Sequence, residues 1–121
     1  MPGPNPASGQ PRVLQVKAEL FRVLGHPARV RILELLRGGE RTVGDLQQAL
    51  GLDASGTSQH LSALRNRDLV VARREGKNVY YEIKDPGVTE LLEVARKLIT
   101  TSIEDSQSLL EQLADSGSGE Q

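Results

Sequence analysis

The polar side chains best suited to chemistry are concentrated between Gly51 and Ile83. Catalysis is one function to weigh, because the run Ser55-Gly56-Thr57-Ser58 lies close in sequence to His60. The chain has no Cys nucleophile, no phosphate-cradling Gly loop and no His-Glu-x-x-His pair. It also lacks a Gly-x-Ser-x-Gly elbow with an identifiable acid partner. We therefore predict that the chain is not an enzyme and that the polar run begins a helix that faces a groove.

A helix expected over about Ala54–Arg67 has two contrasting faces. At about 100° per residue, one face is predicted to pack on a core. The opposite face carries small or amide-bearing side chains, as a helix in the DNA major groove requires. The predicted core face is Ala54, Thr57, Leu61 and Leu64, and the predicted outer face is Ser55, Gly56, Gln59, Ser62, Ala63 and Asn66.

Gln59 is the strongest candidate for base recognition, because its amide can form two hydrogen bonds with adenine. Two explanations stay open for Gly56, which weakens a helix: close approach to DNA, or a loose first turn. The basic side chains beyond the helix start suit phosphate contacts, although a solvated surface is the alternative. The residues predicted to contact DNA are Ser55, Gly56, Ser58, Gln59, His60, Ser62, Arg65, Arg67, Arg73, Arg74 and Lys77.

The two histidines are far apart in the sequence, and neither has a second His or Cys on the same turn. We expect His26, next to Pro27, to help cap a helix. His60 lies on the flank of its helix, where it either contacts phosphate or hydrogen-bonds to its neighbours. Both are predicted to be structural rather than metal ligands.

Helical spacing and stop signals predict five helices and one hairpin. Thr42 and Asp53 are expected to cap the third and fourth helices, with Gly51 ending the third. Asp85 is expected to cap the last helix, which runs to about Leu113. The third and fourth helices form a helix-turn-helix, and the hairpin is a wing. The predicted first helix is about Arg12–Leu24, and the predicted strands are Leu69–Glu75 and Asn78–Lys84, around a Gly76-Lys77 turn.

Composition limits the remaining classes. A chain of 121 residues suits one domain with a modest core, and 2% aromatic residues imply a core of Leu, Val, Ile and Ala. We predict a domain over 12–113, a disordered arm over 1–11 and a disordered tail over 114–121. Zero Cys excludes disulfides and thiolate metal sites. Without a membrane span or signal peptide, the expected location is the cytoplasm.

Charge is divided unevenly along the chain. Residues 1–84 carry thirteen Lys or Arg against eight Asp or Glu, a net charge of +5. Residues 85–121 carry two against eight, a net charge of −6. The basic part contains the predicted DNA-contacting elements, whereas the acidic last helix suits a partner subunit better than phosphate.

Several sequence segments, taken together and in their order along the chain, resemble the ArsR/SmtB family of winged-helix repressors. The resemblance covers about Leu14–Leu98. It implies a mainly α fold with a small β-hairpin: a winged helix-turn-helix of about five helices plus the wing. The matching segments are Phe21 to Leu36, Thr42-Val43-Gly44-Asp45-Leu46, Ser58-Gln59-His60-Leu61-Ser62-Ala63-Leu64-Arg65, Leu69-Val70 and Gly76-Lys77-Asn78-Val79-Tyr80-Tyr81.

The resemblance also implies a homodimer, formed by the first and last helices, that represses operons through imperfect inverted repeats in double-stranded DNA and is released by an inducer. A twofold dimer would place its recognition helices about 34 Å apart. The apolar stripe of the last helix supports dimerisation independently. The implied interface residues are Leu14, Leu20, Phe21, Leu91, Leu92, Ala95, Leu98 and Ile99.

The chain departs from the family where metal chemistry would sit. Thr42 and Gly44 occupy positions at which metal-sensing members often carry a Cys-containing motif, and the last helix has carboxylates but no His. We therefore predict no resident cofactor and no tight metal site. Alternatives are a weak nickel or zinc site built from His26 or His60 with carboxylates, a small organic inducer, a protein corepressor, or no inducer at all. An interaction module with vestigial DNA binding is a further alternative.

Overall fold

The computed structural model describes the backbone of residues 10–119 and the side chains of residues 12–115. Within that part of the chain, five helices and three short strands form two compact units, which divide between Pro86 and Gly87. The winged helix-turn-helix expected from the sequence is confirmed, with one additional strand. The elements are α1 (Gln10–Leu24), α2 (Pro27–Leu36), β1 (Arg41–Thr42), α3 (Val43–Leu50), α4 (Ala54–Asn66), β2 (Val70–Glu75), β3 (Asn78–Ile83) and α5 (Pro86–Gly119).

Local capping sets the helix boundaries of the first unit. The side chains of His26, Thr42 and Asp53 accept hydrogen bonds from backbone N–H groups two or three residues later, at 3.1, 3.0 and 2.7 Å. These bonds satisfy donors that the first turn of a helix leaves without a partner. Gly51 ends α3 in the left-handed region, at φ +67°. The predicted caps at His26, Thr42 and Asp53 and the predicted helix end at Gly51 are therefore confirmed.

The core of the first unit joins the helices to the wing. The apolar residues with at most 1% of their surface exposed are Ile32, Leu33, Leu46, Leu61, Leu64 and Val70. Thr57 is fully buried, and its hydroxyl donates to the Asp53 carbonyl at 2.9 Å. The prediction that Ala54 packs on the core is wrong, because Ala54 is exposed. Ala54 is the first residue of α4 and precedes the turns that carry the buried side chains.

The wing is an antiparallel hairpin with a third strand at its edge. The strand order is β1-β3-β2, and Arg41 and Thr42 pair with Tyr81 and Tyr80. The sequence did not predict β1, because two residues are too few to show strand alternation. At the hairpin tip, Gly76 has φ +62°, which suits the first central position of a two-residue turn.

The terminal boundaries differ from the predicted ones. Helix α1 begins at Gln10 rather than Arg12, because Pro11 falls in the first turn, where a missing N–H removes no hydrogen bond. Helix α5 runs to Gly119, past the predicted end near Leu113, since Ser and Gly lower helix propensity without preventing a helix. The rest of the predicted arm and tail, residues 1–9 and 120–121, lies outside the described residues, and the Asp85 cap stays a prediction. None of the helices described is both long and apolar enough to cross a membrane.

Candidate nucleic-acid interface

Helix α4 presents its polar face to solvent while its apolar face is fixed in the core. Ser55, Ser58 and Gln59 are exposed, whereas Ser62 is half-buried. The burial of Leu61 and Leu64 on the other face fixes how the helix is rotated about its axis. The structure therefore leaves the Gln59 amide accessible at the middle of an exposed helix face, as base recognition requires.

Gly56 has a structural reason that neither sequence-based explanation included. Its backbone N–H donates to Asp53 Oδ1 at 2.7 Å, and a Cβ added at Gly56 would lie 2.9 Å from the same oxygen. A larger residue would therefore require the Asp53 carboxylate, which caps α4, to shift. The glycine leaves space for this carboxylate in its capping position.

His60 is held by contacts within the protein. Its Nδ1 accepts a hydrogen bond from Arg29 Nε at 3.3 Å, and its ring centroid lies 4.3 Å from that of His26. Burial lowers the pKa of His60, and the nearby His26 and Arg29 lower it further. Because the Nδ1 atoms of both histidines act as acceptors, their neutral rings carry the proton on Nε2. The tertiary structure thus pairs two histidines that the sequence separates, and it gives His60 a hydrogen-bond partner within the protein.

The two arginines at the end of α4 differ in their surroundings. Arg67 donates to Glu19 of α1 at 2.9 Å, and Glu19 also binds Arg22 at 2.6 Å. The hydrogen bond from Arg22 and the charges of both arginines lower the pKa of Glu19. The side chain of Arg65 is exposed and has no hydrogen-bond or ion-pair partner among the described residues. Arg65 is therefore the better placed of the two to bind a phosphate.

The basic residues of the wing also differ in whether a carboxylate pairs with them. Arg73 Nη2 donates to both carboxylate oxygens of Glu40, at 2.8 and 2.9 Å, and Arg73 Nη1 donates to Glu75. The side chains of Arg74 and Lys77 are exposed and have no hydrogen-bond or ion-pair partner in the described part of the chain. Sequence reasoning grouped these three cations as phosphate contacts, but only two of them have an uncompensated charge.

Sequence reasoning did not identify three residues that contact this surface. Arg29, Glu40 and Glu19 contact the predicted DNA-contacting residues across separations of 31, 33 and 48 residues. No local signal identifies such partners, because each lies on a different element from the residue that it binds. Their sequence neighbourhoods show only charges on helix or loop surfaces.

The predicted dimer-interface residues divide by exposure. In α1, Leu14 and Phe21 are 64% and 60% exposed, and Leu20 is half-buried. Within α5, Leu98 and Ile99 are 68% and 60% exposed, and further exposed apolar side chains follow along the helix. The others in α5 are Leu91, which is half-buried, Leu92, which is buried in the single chain, and Ala95, which is exposed. Large exposed apolar side chains on both helices are typical of a protein-protein interface.

Metal-ligating side chains are not clustered in the described part of the chain. No group of three or more His, Cys, Asp or Glu residues there is arranged to hold a metal ion. His26 and His60 are adjacent, but the charged group that hydrogen-bonds to His60 is the guanidinium of Arg29 rather than a carboxylate. A cation there would face repulsion from Arg29, which disfavours the weak metal site considered from the sequence.

Comparison with known proteins places this geometry in a family. Residues 26–71, which span α2 to the start of β2, match the description "Bacterial regulatory protein, arsR family". The chain is 46% identical over 105 residues to the uncharacterized HTH-type transcriptional regulator Rv0081 of Mycobacterium tuberculosis, covering 86% of this chain and 92% of that protein. The crystal structure of Rv0081 superposes with a TM-score of 0.74, covering 77% of this chain and 94% of that one.

Two further relatives are informative. A solution structure from Mycobacterium bovis, described as a homodimeric winged helix-turn-helix DNA-binding domain, has a TM-score of 0.69 and 32% identity, covering 83% of this chain and 91% of that one. A probable mercury resistance operon repressor of Streptomyces lividans is 38% identical over 81 residues, covering 67% of this chain and 65% of that protein. With its helix-turn-helix, its wing and relatives of this identity and coverage, the chain belongs to the ArsR family of DNA-binding transcriptional regulators.

Proposed function

We propose that this regulator is a homodimeric repressor that binds an inverted-repeat operator without a resident metal. The observation that carries the proposal is the exposed polar face of α4 beside uncompensated cations. Gln59 is available to read a base, and Arg65, Arg74 and Lys77 are available to bind phosphates. Base contacts supply sequence specificity, and phosphate contacts supply affinity and orientation.

Sequence-specific binding by this surface requires a second copy of the chain. One α4 reads only a few base pairs, so a single chain has little specificity. The exposed apolar faces of α1 and α5 each offer large side chains to a second copy. The description of the M. bovis relative as homodimeric supports this assembly, and the description of the S. lividans relative as a repressor supports the direction of regulation.

The first experiment is a fluorescence-anisotropy titration of chelator-treated protein. The probes are a duplex from upstream of its own gene and a scrambled duplex of equal length, each at two salt concentrations. We expect tight, selective binding without metal. Unselective binding that becomes selective on adding nickel or zinc would replace this proposal with a metal-responsive one. Selectivity that appears only with a second protein would identify a corepressor.

Two variants separate base recognition from phosphate binding. Gln59→Ala should reduce the preference for the operator by about 1–3 kcal/mol, because a two-bond contact to one base is lost. Lys77→Ala should weaken binding to both duplexes equally and reduce the salt dependence by about one phosphate per wing. If Gln59→Ala weakened both duplexes equally, the assignment of Gln59 to base recognition would be wrong.

The dimer is tested by sedimentation of variants with a charge in the exposed apolar faces. Phe21→Glu and Leu98→Glu should each shift the protein toward monomer, since a carboxylate would be buried without a partner. Leu52→Glu is the matched control, because Leu52 is an exposed apolar residue in the turn between α3 and α4. Dissociation by Leu52→Glu, with the other two variants dimeric, would move the interface away from α1 and α5.

A further inference from the structure

The three basic side chains of the wing are not equivalent. Arg73 is engaged by the carboxylates of Glu40 and Glu75, and its guanidinium carbon lies 4.7 Å from the centroid of the Tyr80 ring. Arg74 and Lys77 have no such partners among the described residues. At Arg73, one positive charge therefore faces two negative charges, and the local net charge is −1.

The contact between Arg73 and Glu40 is built into the sheet. Glu40 directly precedes β1, β1 pairs with β3, and β3 pairs with β2, so Arg73 and Glu40 lie on opposite sides of the central strand. Arg73 is the register partner of Tyr80, and its long side chain crosses the Tyr80 ring to reach Glu40. Two strand spacings, about 10 Å, are within reach of an extended arginine. The strand register thus places the Glu40 carboxylate within hydrogen-bond distance of the Arg73 guanidinium.

We propose that Glu40 withholds Arg73 from the DNA backbone and thereby limits the sequence-independent affinity of the wing. This inference rests on the proposed DNA-binding function and concerns the same surface. The wing contacts phosphates through Arg74 and Lys77, and Arg73 contributes only when Glu40 no longer holds it. Glu40 is a positioning residue, since it acts through Arg73 and does not itself touch DNA.

This division of the wing has a physical rationale. A guanidinium that already binds carboxylates gains little from a phosphate, because one ion pair must be broken to form the other. The carboxylates also raise the pKa of Arg73, with the hydrogen bonds to Glu40 contributing most. A regulator benefits from this limit, because non-operator DNA is in large excess and binds through phosphate contacts alone.

The test is Glu40→Gln, which keeps the size of the side chain and removes its charge. Binding to a scrambled duplex is measured by anisotropy at several salt concentrations, with folding confirmed by circular dichroism. Each released Arg73 should steepen the slope of log affinity against log salt by about 0.9, which corresponds to about an 8-fold gain in affinity at 0.1 M salt. Glu34→Gln is the matched control, because Glu34 is a similarly exposed carboxylate paired with Arg37 on α2.

A double-mutant cycle shows whether Glu40 acts through Arg73. In an Arg73→Gln background, Glu40→Gln should leave the salt slope unchanged, because no guanidinium remains to be released. The inference is overturned if Glu40→Gln leaves the slope unchanged, if Glu34→Gln produces the same increase, or if the increase persists without Arg73. Failure of the unsubstituted protein to bind either duplex would instead overturn the proposed function, and this inference with it.

Discussion

The explanation of Gly56 can be tested by replacing it with alanine and comparing the result with Gly44→Ala. Both glycines lie in the first turn of a helix, but their surroundings differ. A Cβ at Gly44 would meet only Thr42 Oγ1 at 3.9 Å, which is ordinary contact. A Cβ at Gly56 would lie 2.9 Å from the Asp53 oxygen that caps α4. The two substitutions should therefore have different effects on the free energy of unfolding.

The magnitudes follow from two opposing effects. Replacing a helical glycine by alanine stabilises by roughly 0.5–1 kcal/mol, because the unfolded chain has less freedom to lose. Displacing an N-cap side chain costs about 1 kcal/mol, within a range of roughly 0.5–2 kcal/mol. Gly44→Ala should stabilise by the first amount, whereas Gly56→Ala should be neutral or destabilising. The two variants should differ by about 1 kcal/mol.

Urea unfolding followed by circular dichroism measures both free energies, at one fixed protein concentration because a dimer is expected. The decisive comparison is made in an Asp53→Ala background, where the capping carboxylate is absent. There, Gly56→Ala should stabilise as much as Gly44→Ala does. If Gly56→Ala already stabilises that much with Asp53 present, the cap does not explain the glycine.

Three other predictions follow from the described contacts. The pKa of His60 is lowered in the folded protein, so the fold favours the neutral form of its ring. The resulting contribution to the free energy of unfolding is complete above about pH 6.5 and is lost as the pH falls through the folded-state pKa. Urea midpoints between about pH 5.5 and 7.5 should show this decline, and His60→Gln should remove it; an unchanged decline would assign it to another group. Leu61→Ala should destabilise by about 2–5 kcal/mol in urea unfolding, because Leu61 is 1% exposed; a loss below about 1 kcal/mol would mean that α4 is not anchored there. Gly76→Ala should cost about 1–2 kcal/mol in the same assay because φ is +62°, whereas Gly76→Asn should cost less; equal costs would contradict a left-handed requirement.

Much of the fold could be predicted because its signals are local. The caps at Thr42 and Asp53 and the helix end at Gly51 depend on residues within a few positions of one another. The wing was recognisable from two β-rich runs around Gly76-Lys77. Such signals are formed by the chain's own backbone geometry, so they survive without knowledge of the tertiary structure.

The sequence-based predictions failed where tertiary packing overrides a local sequence pattern. Ala54 fits the helical period of the core face but is exposed at the helix end. Strand β1 has only two residues, and it exists because β3 provides a partner. Sequence periodicity cannot predict the exposure of Ala54 or the existence of β1, since both depend on which other element packs beside that residue or strand.

The sequence by itself determined the type of protein: a helix-turn-helix whose second helix has a polar outer face, with a basic wing and an acidic last helix. Only the tertiary structure decided which of the candidate cations remain uncompensated. It joins His60 to Arg29, Arg67 to Glu19 and Arg73 to Glu40, across 31 to 48 residues. Helices and their caps are selected by interactions within about four residues, whereas the partner of a long charged side chain is set by the packing of separate elements.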